Sequence, residues 1–146
     1  MTNPSGAPVS VTISETEFFM SPLTSKDIGE LNNYIKQELL SSAKESCKDE
    51  SNQMIVDAMM RAAMGQIRSV DWISDFKLLQ SADKLSYLLW LGVRKNDPKP
   101  TREAFTILML QTWEENFEKG MAALQLVNPF LQKKEEEEEA EARGQA

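Results

Sequence analysis

The chain of 146 residues contains no histidine and a single cysteine, Cys47. These two counts exclude Ser-His-Asp and Cys-His catalysis, a histidine-ligated haem, a zinc site built from His and Cys, and an internal disulfide. With 41% apolar residues, 27% charged residues and only six glycines and six prolines, the composition is that of a globular protein. A chain of this length buries about 68–70% of its unfolded surface, so it can fold without metal or disulfides.

The net charge is −7, and part of it comes from a low-complexity run at residues 132–146 that holds six glutamates. An acidic protein repels the phosphates of nucleic acid at long range, so we expect no nucleic-acid partner. The longest apolar run, residues 85–93, is too short to span a bilayer, and residues 1–11 lack the basic and apolar parts of a secretory signal. We therefore expect a cytoplasmic protein that is not secreted and has no membrane partner.

The N-terminal segment predicts little regular structure. Residues 1–8 combine Gly, Ser and Pro, which is typical of a flexible arm. Apolar and hydroxyl side chains alternate over residues 9–13 and predict one short strand, but no later segment offers an obvious partner strand. An apolar cluster at residues 18–20 precedes Ser21-Pro22, and because the residue before proline avoids the helical region, we expect the first helix just after it.

Two amphipathic helices are predicted next, over residues 25–42 and 53–68. Thr24 and Asp27 resemble a capping box at the start of the first, and apolar residues recur at steps of three and four in both. The polar stretch at 41–52 predicts either a loop or a frayed continuation of the first helix. Residues 69–75 either close the second helix or form a connection anchored by aromatic side chains.

A third helix is predicted from its N-cap, Ser81, to the stop at residues 96–100. It is apolar around most of its circumference, so we expect it to be the most buried helix. A fourth helix, capped by Thr101, is predicted to run unbroken to Asn128-Pro129. The residues of the third helix that we expect in the core are Leu85, Leu88, Leu89, Trp90 and Val93.

These elements predict an all-α fold. We expect a single small helical domain of four or five helices over residues 9–131, with a short N-terminal β segment. The flexible arm at 1–8 precedes the domain, and the acidic tail at 132–146 follows it. The tail repels itself and is expected to contribute solubility rather than binding.

Methionine is unusually frequent, with eight residues in the chain and a cluster on the second helix. Exposed methionines suit binding to helical partners of varied sequence, because the side chain is flexible and polarisable. The alternative is that they fill a core, and Met59 and Met60 cannot both face the same way on a helix. Trp113 likewise either packs in the core or anchors a partner. The candidate partner-binding residues are Met59, Met60, Met64 and Trp113.

No catalytic, metal-binding or cofactor-binding residue is predicted. Asp71 and Asp75 form the nearest approach to an acid pair, and a solvated face or cap explains them better. Four basic residues surround the two prolines after the third helix, and they indicate a solvated loop that complements the helix dipole. Cys47 has no imidazole to activate it, and the chain holds no glycine-rich phosphate loop.

Four segments read together resemble a known family. They are P-L-T-S-K-D-I-G-E-L-N-N-Y-I at 22–35, the Ala- and Met-rich second helix, L-S-Y-L-L-W-L-G-V-R-K-N-D-P at 85–98, and P-T-R-E-A-F at 100–105. This pattern resembles the small helical tail assembly chaperones of long-tailed bacteriophages over roughly residues 20–110. The matching positions are structural, so the resemblance transfers no catalytic residue.

The resemblance implies a non-enzymatic chaperone that binds the helical tape-measure protein and keeps it soluble in the cytoplasm of the infected bacterium. Under the same resemblance, the chaperone could also contact the tail tube protein or associate with itself. Such chaperones are commonly made in two lengths by ribosomal frameshifting, and residues 132–134 can be encoded by the slippery sequence CAA-AAA-AAG. The alternative is a small helical structural or adaptor protein that is retained in the virion.

Overall fold

A computed structural model describes residues 7–131. The described part is mostly helical with a short two-stranded antiparallel sheet near the N-terminus, which confirms the predicted helical fold. The predicted acidic tail and residues 1–6 of the predicted arm lie outside the described residues. In chain order the elements are β1 (Val9–Ile13), β2 (Thr16–Met20), α1 (Ser25–Cys47), α2 (Gln53–Arg68), a 3₁₀ helix (Phe76–Leu79), α3 (Ala82–Val93), α4 (Arg102–Gln111) and α5 (Trp113–Val127).

The chain forms two compact units. The hairpin unit combines the segment up to Thr24 with the segment from Ser81 onward, and it contains β1, β2, α3, α4 and α5. The α1–α2 unit is continuous, spans Ser25–Gln80 and contains both long helices and the 3₁₀ helix. Because compact units can also be parts of one domain, the single domain over residues 9–131 stays a prediction.

The N-terminal strand has a partner, which corrects the expectation that none would be found. β1 pairs antiparallel with β2, and the two residues between the strands, Ser14 and Glu15, have φ angles of 46° and 69°. Positive φ at both positions defines a two-residue hairpin turn, but the usual Asn-Gly signal is absent from the sequence. In the cluster at 18–20, Phe18 and Met20 are buried whereas Phe19 is exposed, the alternation of a strand.

The prediction that the third helix is the most buried one is confirmed. Leu88, Leu89 and Val93 of α3 are at most 1% exposed, and they join buried residues of both strands and of α5 in the core of the hairpin unit. Leu85 and Trp90, also predicted in the core, are half-buried instead. The Trp90 indole remains at the edge of the core, where its Nε1 donates a hydrogen bond to the Pro100 carbonyl.

Two glycines allow α3 to pack closely. A Cβ at Gly120 of α5 would lie 2.7 Å from Cδ1 of Leu89, and a Cβ at Gly92 would overlap the Met20 sulfur. A larger residue at either position would require the Leu89 or Met20 side chain to move, so the two glycines leave room for these side chains in the core. The N-caps predicted for α3 and α4 are confirmed, because Ser81 and Thr101 accept hydrogen bonds from the amides three residues later.

The prediction of one unbroken helix after Thr101 is wrong. The helix breaks at Thr112, where φ is −140° and ψ is 74°, and this residue separates α4 from α5. The amide of buried Asn116 explains how the break is tolerated, since its Nδ2 donates to the carbonyls of Leu108 (3.0 Å) and Met109 (3.2 Å). The apolar periodicity continues on both sides of Thr112, so the sequence pattern does not indicate the break.

Asn116 also fixes the hairpin turn. Its Oδ1 accepts a hydrogen bond from the Ser14 amide at 3.1 Å, and its Nδ2 lies 2.8 Å from the Ser14 hydroxyl. The Ser14 hydroxyl in turn donates to the Leu108 carbonyl at 2.7 Å. One buried side chain therefore joins the turn, the end of α4 and the start of α5, and it fixes the position of β1 beside α5.

The α1–α2 unit is close to its prediction. α2 has the predicted bounds, and α1 continues through the polar stretch to Cys47, five residues beyond its predicted end at residue 42. Of the two interpretations of residues 69–75, the anchored connection is confirmed, because Trp72 is fully buried. Its indole Nε1 donates to the Ile28 carbonyl at 3.1 Å and its backbone N–H donates to the Asn32 side chain at 3.0 Å.

Ser86 provides a direct test of the α3 core. The residue is 0% exposed, and within the described residues its hydroxyl has no hydrogen-bond partner. Because a buried polar group without a partner is costly, we expect Ser86→Ala to raise the free energy of unfolding by about 1 kcal/mol in urea denaturation. Ser46→Ala, at an exposed position of α1, controls for the helix propensity of alanine. A less stable Ser86→Ala protein would contradict the placement of this hydroxyl.

Within residues 7–131, no helix combines the length and the apolar character needed to cross a membrane.

Candidate partner-binding surface

The methionine-rich helix α2 packs on α1 along one side only. Its buried residue is Ala63, and the half-buried residues Val56, Met59, Met60 and Ile67 lie on the same side of the helix. The sulfur of Met59 lies 4.0 Å from the Cys47 sulfur of α1, so this methionine belongs to the packing between the two helices. The opposite side of α2 is exposed.

Part of that exposed side is apolar. Met54 is 82% exposed and Ile55 is 44% exposed, and Ala58 and Ala62 follow them at steps of three and four residues. At 100° per residue these four side chains fall within about 100° of the helix circumference. We call them the α2 strip. Large apolar side chains at the N-terminal end and small ones further along form a shallow surface on which another helix could lie.

The four candidate residues of the sequence analysis do not lie on one exposed surface. Met59 and Met60 are half-buried against the α1 side, and Met64 is 38% exposed. Met64 lies on the exposed side of α2 but beyond Asp57, about 80° around the helix from Met54. Trp113 belongs to the hairpin unit, where it is half-buried and stacks on Phe117 with ring centroids 5.4 Å apart.

The residues of the α2 strip were missed as binding candidates. Met54 belongs to the methionine cluster of the second helix, but its sequence position alone does not distinguish it from Met59. A helical wheel places Met54 opposite Ala63, so the exposure of Met54 follows once the structure shows that α2 is buried at Ala63.

Charged residues border the α2 strip on one side. Arg61 and Arg68 are exposed, and neither has an ion-pair partner among residues 7–131. Asp57 lies on the same side and accepts a hydrogen bond from the Gln53 side chain at 2.8 Å. A helix lying on the strip would therefore meet two free guanidinium groups along one flank, which favours acidic residues on that flank of the partner.

A smaller apolar surface lies on α4 of the hairpin unit. Ile107 is 62% exposed and Leu110 is 53% exposed, and they are neighbours on the helix surface because they are three residues apart. This pair offers less apolar area than the α2 strip, and the sequence analysis did not identify it.

A polar cavity of about 450 Å³ lies beside the hairpin turn. Its lining includes the hydroxyl of Ser14 and the amide of Asn116, and both of these groups are engaged in the hydrogen bonds that hold the turn. Lys119 forms an ion pair with Glu115 at 2.8 Å, and the hydrogen bond and positive charge of this lysine lower the pKa of the Glu115 carboxyl. These polar groups of the cavity lining therefore have structural contacts, which hold the hairpin turn and the first turn of α5.

The other candidate groups also have structural partners. Asp71 accepts hydrogen bonds from the Ile73 amide and the Ser74 hydroxyl, and Asp75 caps the 3₁₀ helix, as the cap interpretation predicts. In the part of the chain that the structure describes, no cluster of three or more carboxylate, thiol or imidazole side chains could hold a metal ion.

The basic residues after α3 are tied to the protein surface. The Arg94 guanidinium lies 5.0 Å from the centre of the Trp90 ring, and the Lys95 ammonium donates to the Pro22 carbonyl. Arg102 forms an ion pair with Asp83 at 3.3 Å and lies over the Tyr87 ring at 4.7 Å. These cations stabilise the ends of α3 and α4 locally.

Comparisons with known protein families, with curated proteins and with solved structures found no match to this chain.

Proposed function

We propose that the chain is a non-enzymatic phage tail assembly chaperone that binds the helical tape-measure protein and keeps it soluble. The proposal rests on the family resemblance of residues 20–110 together with one structural observation, the exposed α2 strip. Under this proposal the protein acts by binding another protein and catalyses no reaction.

The quoted segments support a scaffold role within this proposal. Residues 85–98 form most of α3 and the turn that follows it, residues 100–105 contain the N-cap and first turn of α4, and residues 22–35 include the start of α1. These segments build and cap the core, so they carry the fold that presents a binding surface. Binding itself requires apolar area that the core does not use.

The α2 strip supplies that area in a form suited to a helical client. Ala58 and Ala62 are small, so a client helix can approach α2 closely, while Met54 and Ile55 offer large side chains at one end. Methionine adapts its shape to different side chains, which suits a client with a long and varied apolar stripe. Arg61 and Arg68 would contact acidic residues beside that stripe.

The proposal is tested by co-expression with the tape-measure protein encoded by the same genome. The double variant Met54→Lys with Ala58→Lys places two positive charges on the α2 strip, one at its N-terminal end and one a helical turn further along. We expect it to fold normally, because both positions are exposed and lysine is a good helix former. We also expect the soluble fraction of the tape-measure protein to fall to the level found without chaperone.

The matched control is Gln37→Lys with Ser41→Lys, which adds the same charge at the same spacing on exposed positions of α1. We expect this control to keep the client soluble. The proposal fails if the strip variant folds and protects the client as well as the control does. Quantifying the chain in purified particles distinguishes the alternative, since a structural or adaptor protein would be present in the finished virion and a chaperone would be absent.

A further inference from the structure

Among the described residues, 7–131, the outer edge of β1 is an unpaired strand edge. Ile13 and Thr16 close the two-residue turn as a hydrogen-bonded pair, and such pairs alternate along an antiparallel ladder. Ser10 and Thr12 occupy the alternate positions, so their backbone N–H and C=O groups point away from β2. No hydrogen bond from anywhere in residues 7–131 reaches these groups.

An open groove of about 390 Å³ runs along this edge. One side of the groove is β1, and the other is the surface of α5 that extends past the strand, where Ala122 and Leu126 provide an apolar floor. Lys119 lies at the end nearer the turn, since it also lines the polar cavity there, and its charge is paired with Glu115. The groove therefore joins a row of free backbone groups to an apolar floor.

The β1 edge lacks the devices that usually protect exposed strand edges. The sequence of β1, Val-Ser-Val-Thr-Ile, contains no charge and no proline, and its register with β2 contains no bulge. The outer edge of β2 is different, because Glu17 is charged and the Phe19 carbonyl accepts a hydrogen bond from the Asn96 side chain at 2.9 Å. Of the two edges of this sheet, the edge of β1 is therefore the open one.

The position of α5 argues against a second copy of this chain as the occupant. Two-fold antiparallel pairing of β1 with itself would place both α5 helices on the same face of the joined sheet. α5 packs chiefly beneath β1 rather than β2, so the two helices would lie under adjacent strands about 4.8 Å apart. Packed helices need axes about 8–10 Å apart, so this arrangement would clash.

We propose that β1 binds a single extended segment of a partner protein by strand addition. The segment exchanges backbone hydrogen bonds with Ser10 and Thr12, and its residue opposite Val11 is apolar and enters the groove above Ala122 and Leu126. The residue before this apolar residue and the residue after it both face solvent, and both carry polar side chains. This site is separate from the α2 strip and does not depend on the proposed function.

The test uses the full-length, ¹⁵N-labelled protein and the capped peptide acetyl-Lys-Thr-Leu-Thr-Lys-amide. We expect the peptide to slow the hydrogen exchange of the Ser10 and Thr12 amides and to shift the resonances of Ala122 and Leu126. A second peptide with both threonine amides methylated has the same side chains without the two donors. Because each lost hydrogen bond weakens binding by about tenfold, we expect binding of this second peptide to be lost.

A pair of proline variants identifies the edge that binds. Ser10→Pro removes an outward N–H of β1 and leaves the ladder with β2 intact, whereas Glu17→Pro makes the same change on the outer edge of β2. We expect Ser10→Pro to abolish peptide binding and Glu17→Pro to preserve it. If Ser10→Pro does not fold, the two peptides decide the question. Equal binding of both peptides, shifts confined to another surface, or a dimer that pairs through β1 would overturn the proposal.

Discussion

Leu89→Ala is expected to lower the free energy of unfolding by about 2–5 kcal/mol, the cost of a large-to-small change at a buried position. Leu89 is 0% exposed, and its methyl groups pack against the backbone of α5 at Gly120. The surrounding elements cannot collapse easily into the space left behind, because α3 is held by β2 on one side and by α5 on the other. A loss of this size is a large fraction of the stability of a typical domain, about 5–15 kcal/mol.

The matched control for this change is Leu110→Ala. It removes the same atoms from a side chain that is 53% exposed on α4, so we expect a change within about 0.5 kcal/mol. Urea unfolding followed by tryptophan fluorescence measures both variants. Equal stability losses would show that α3 is not the centre of the hairpin unit.

Asn116→Asp is expected to have an effect of similar size for a different reason. The variant keeps the oxygen that accepts from the Ser14 amide but replaces the donor that serves the carbonyls of Leu108 and Met109. A buried carboxylate would then face two carbonyl oxygens without a cation. An uncompensated buried charge costs about 3–5 kcal/mol, and we expect a loss in that range at pH values where the carboxyl is ionised.

The pH dependence distinguishes this mechanism from simple loss of packing. Burial raises the pKa of the introduced carboxyl above its unfolded value, so the destabilisation is complete only above that raised pKa and declines as the pH falls through it. The part of the destabilisation caused by the charge disappears as the pH falls below the unfolded pKa, about 3.9, where the group is protonated in both states. Stability relative to the parent protein should therefore recover between neutral pH and about pH 4. Asn33→Asp, at an exposed position of α1, should show neither effect.

The helices could be predicted because their signals are local. Ser81 and Thr101 cap α3 and α4 through their own side chains, and the prolines at 98 and 100 stop α3 without help from the rest of the fold. The hairpin and the break at Thr112 could not be predicted, because both depend on Asn116. Its contacts join residues 102 positions apart, and no pattern in the chain indicates them.

The sequence predicted which helix carries the candidate surface, but it did not predict which side of that helix is exposed. The methionine cluster identified α2, and the contact of Met59 with Cys47 then determined which side of the helix is buried. That contact arises from the packing of α2 on α1, which the periodicity of α2 alone does not specify. Met54 and Ile55 became the candidates only after the buried side was known.

The most direct test of the central claim is protection of the α2 strip by its client. In a protein carrying Cys47→Ala, Met54→Cys places one reactive thiol on the strip at a position that is 82% exposed, and Phe19→Cys places one at an exposed position of β2 as a control. Labelling with a thiol reagent is then measured with and without a bound tape-measure fragment. The proposal predicts that the fragment slows labelling of the Met54→Cys protein by tenfold or more and leaves the Phe19→Cys protein unchanged. Unchanged labelling of the Met54→Cys protein in an intact complex would contradict it.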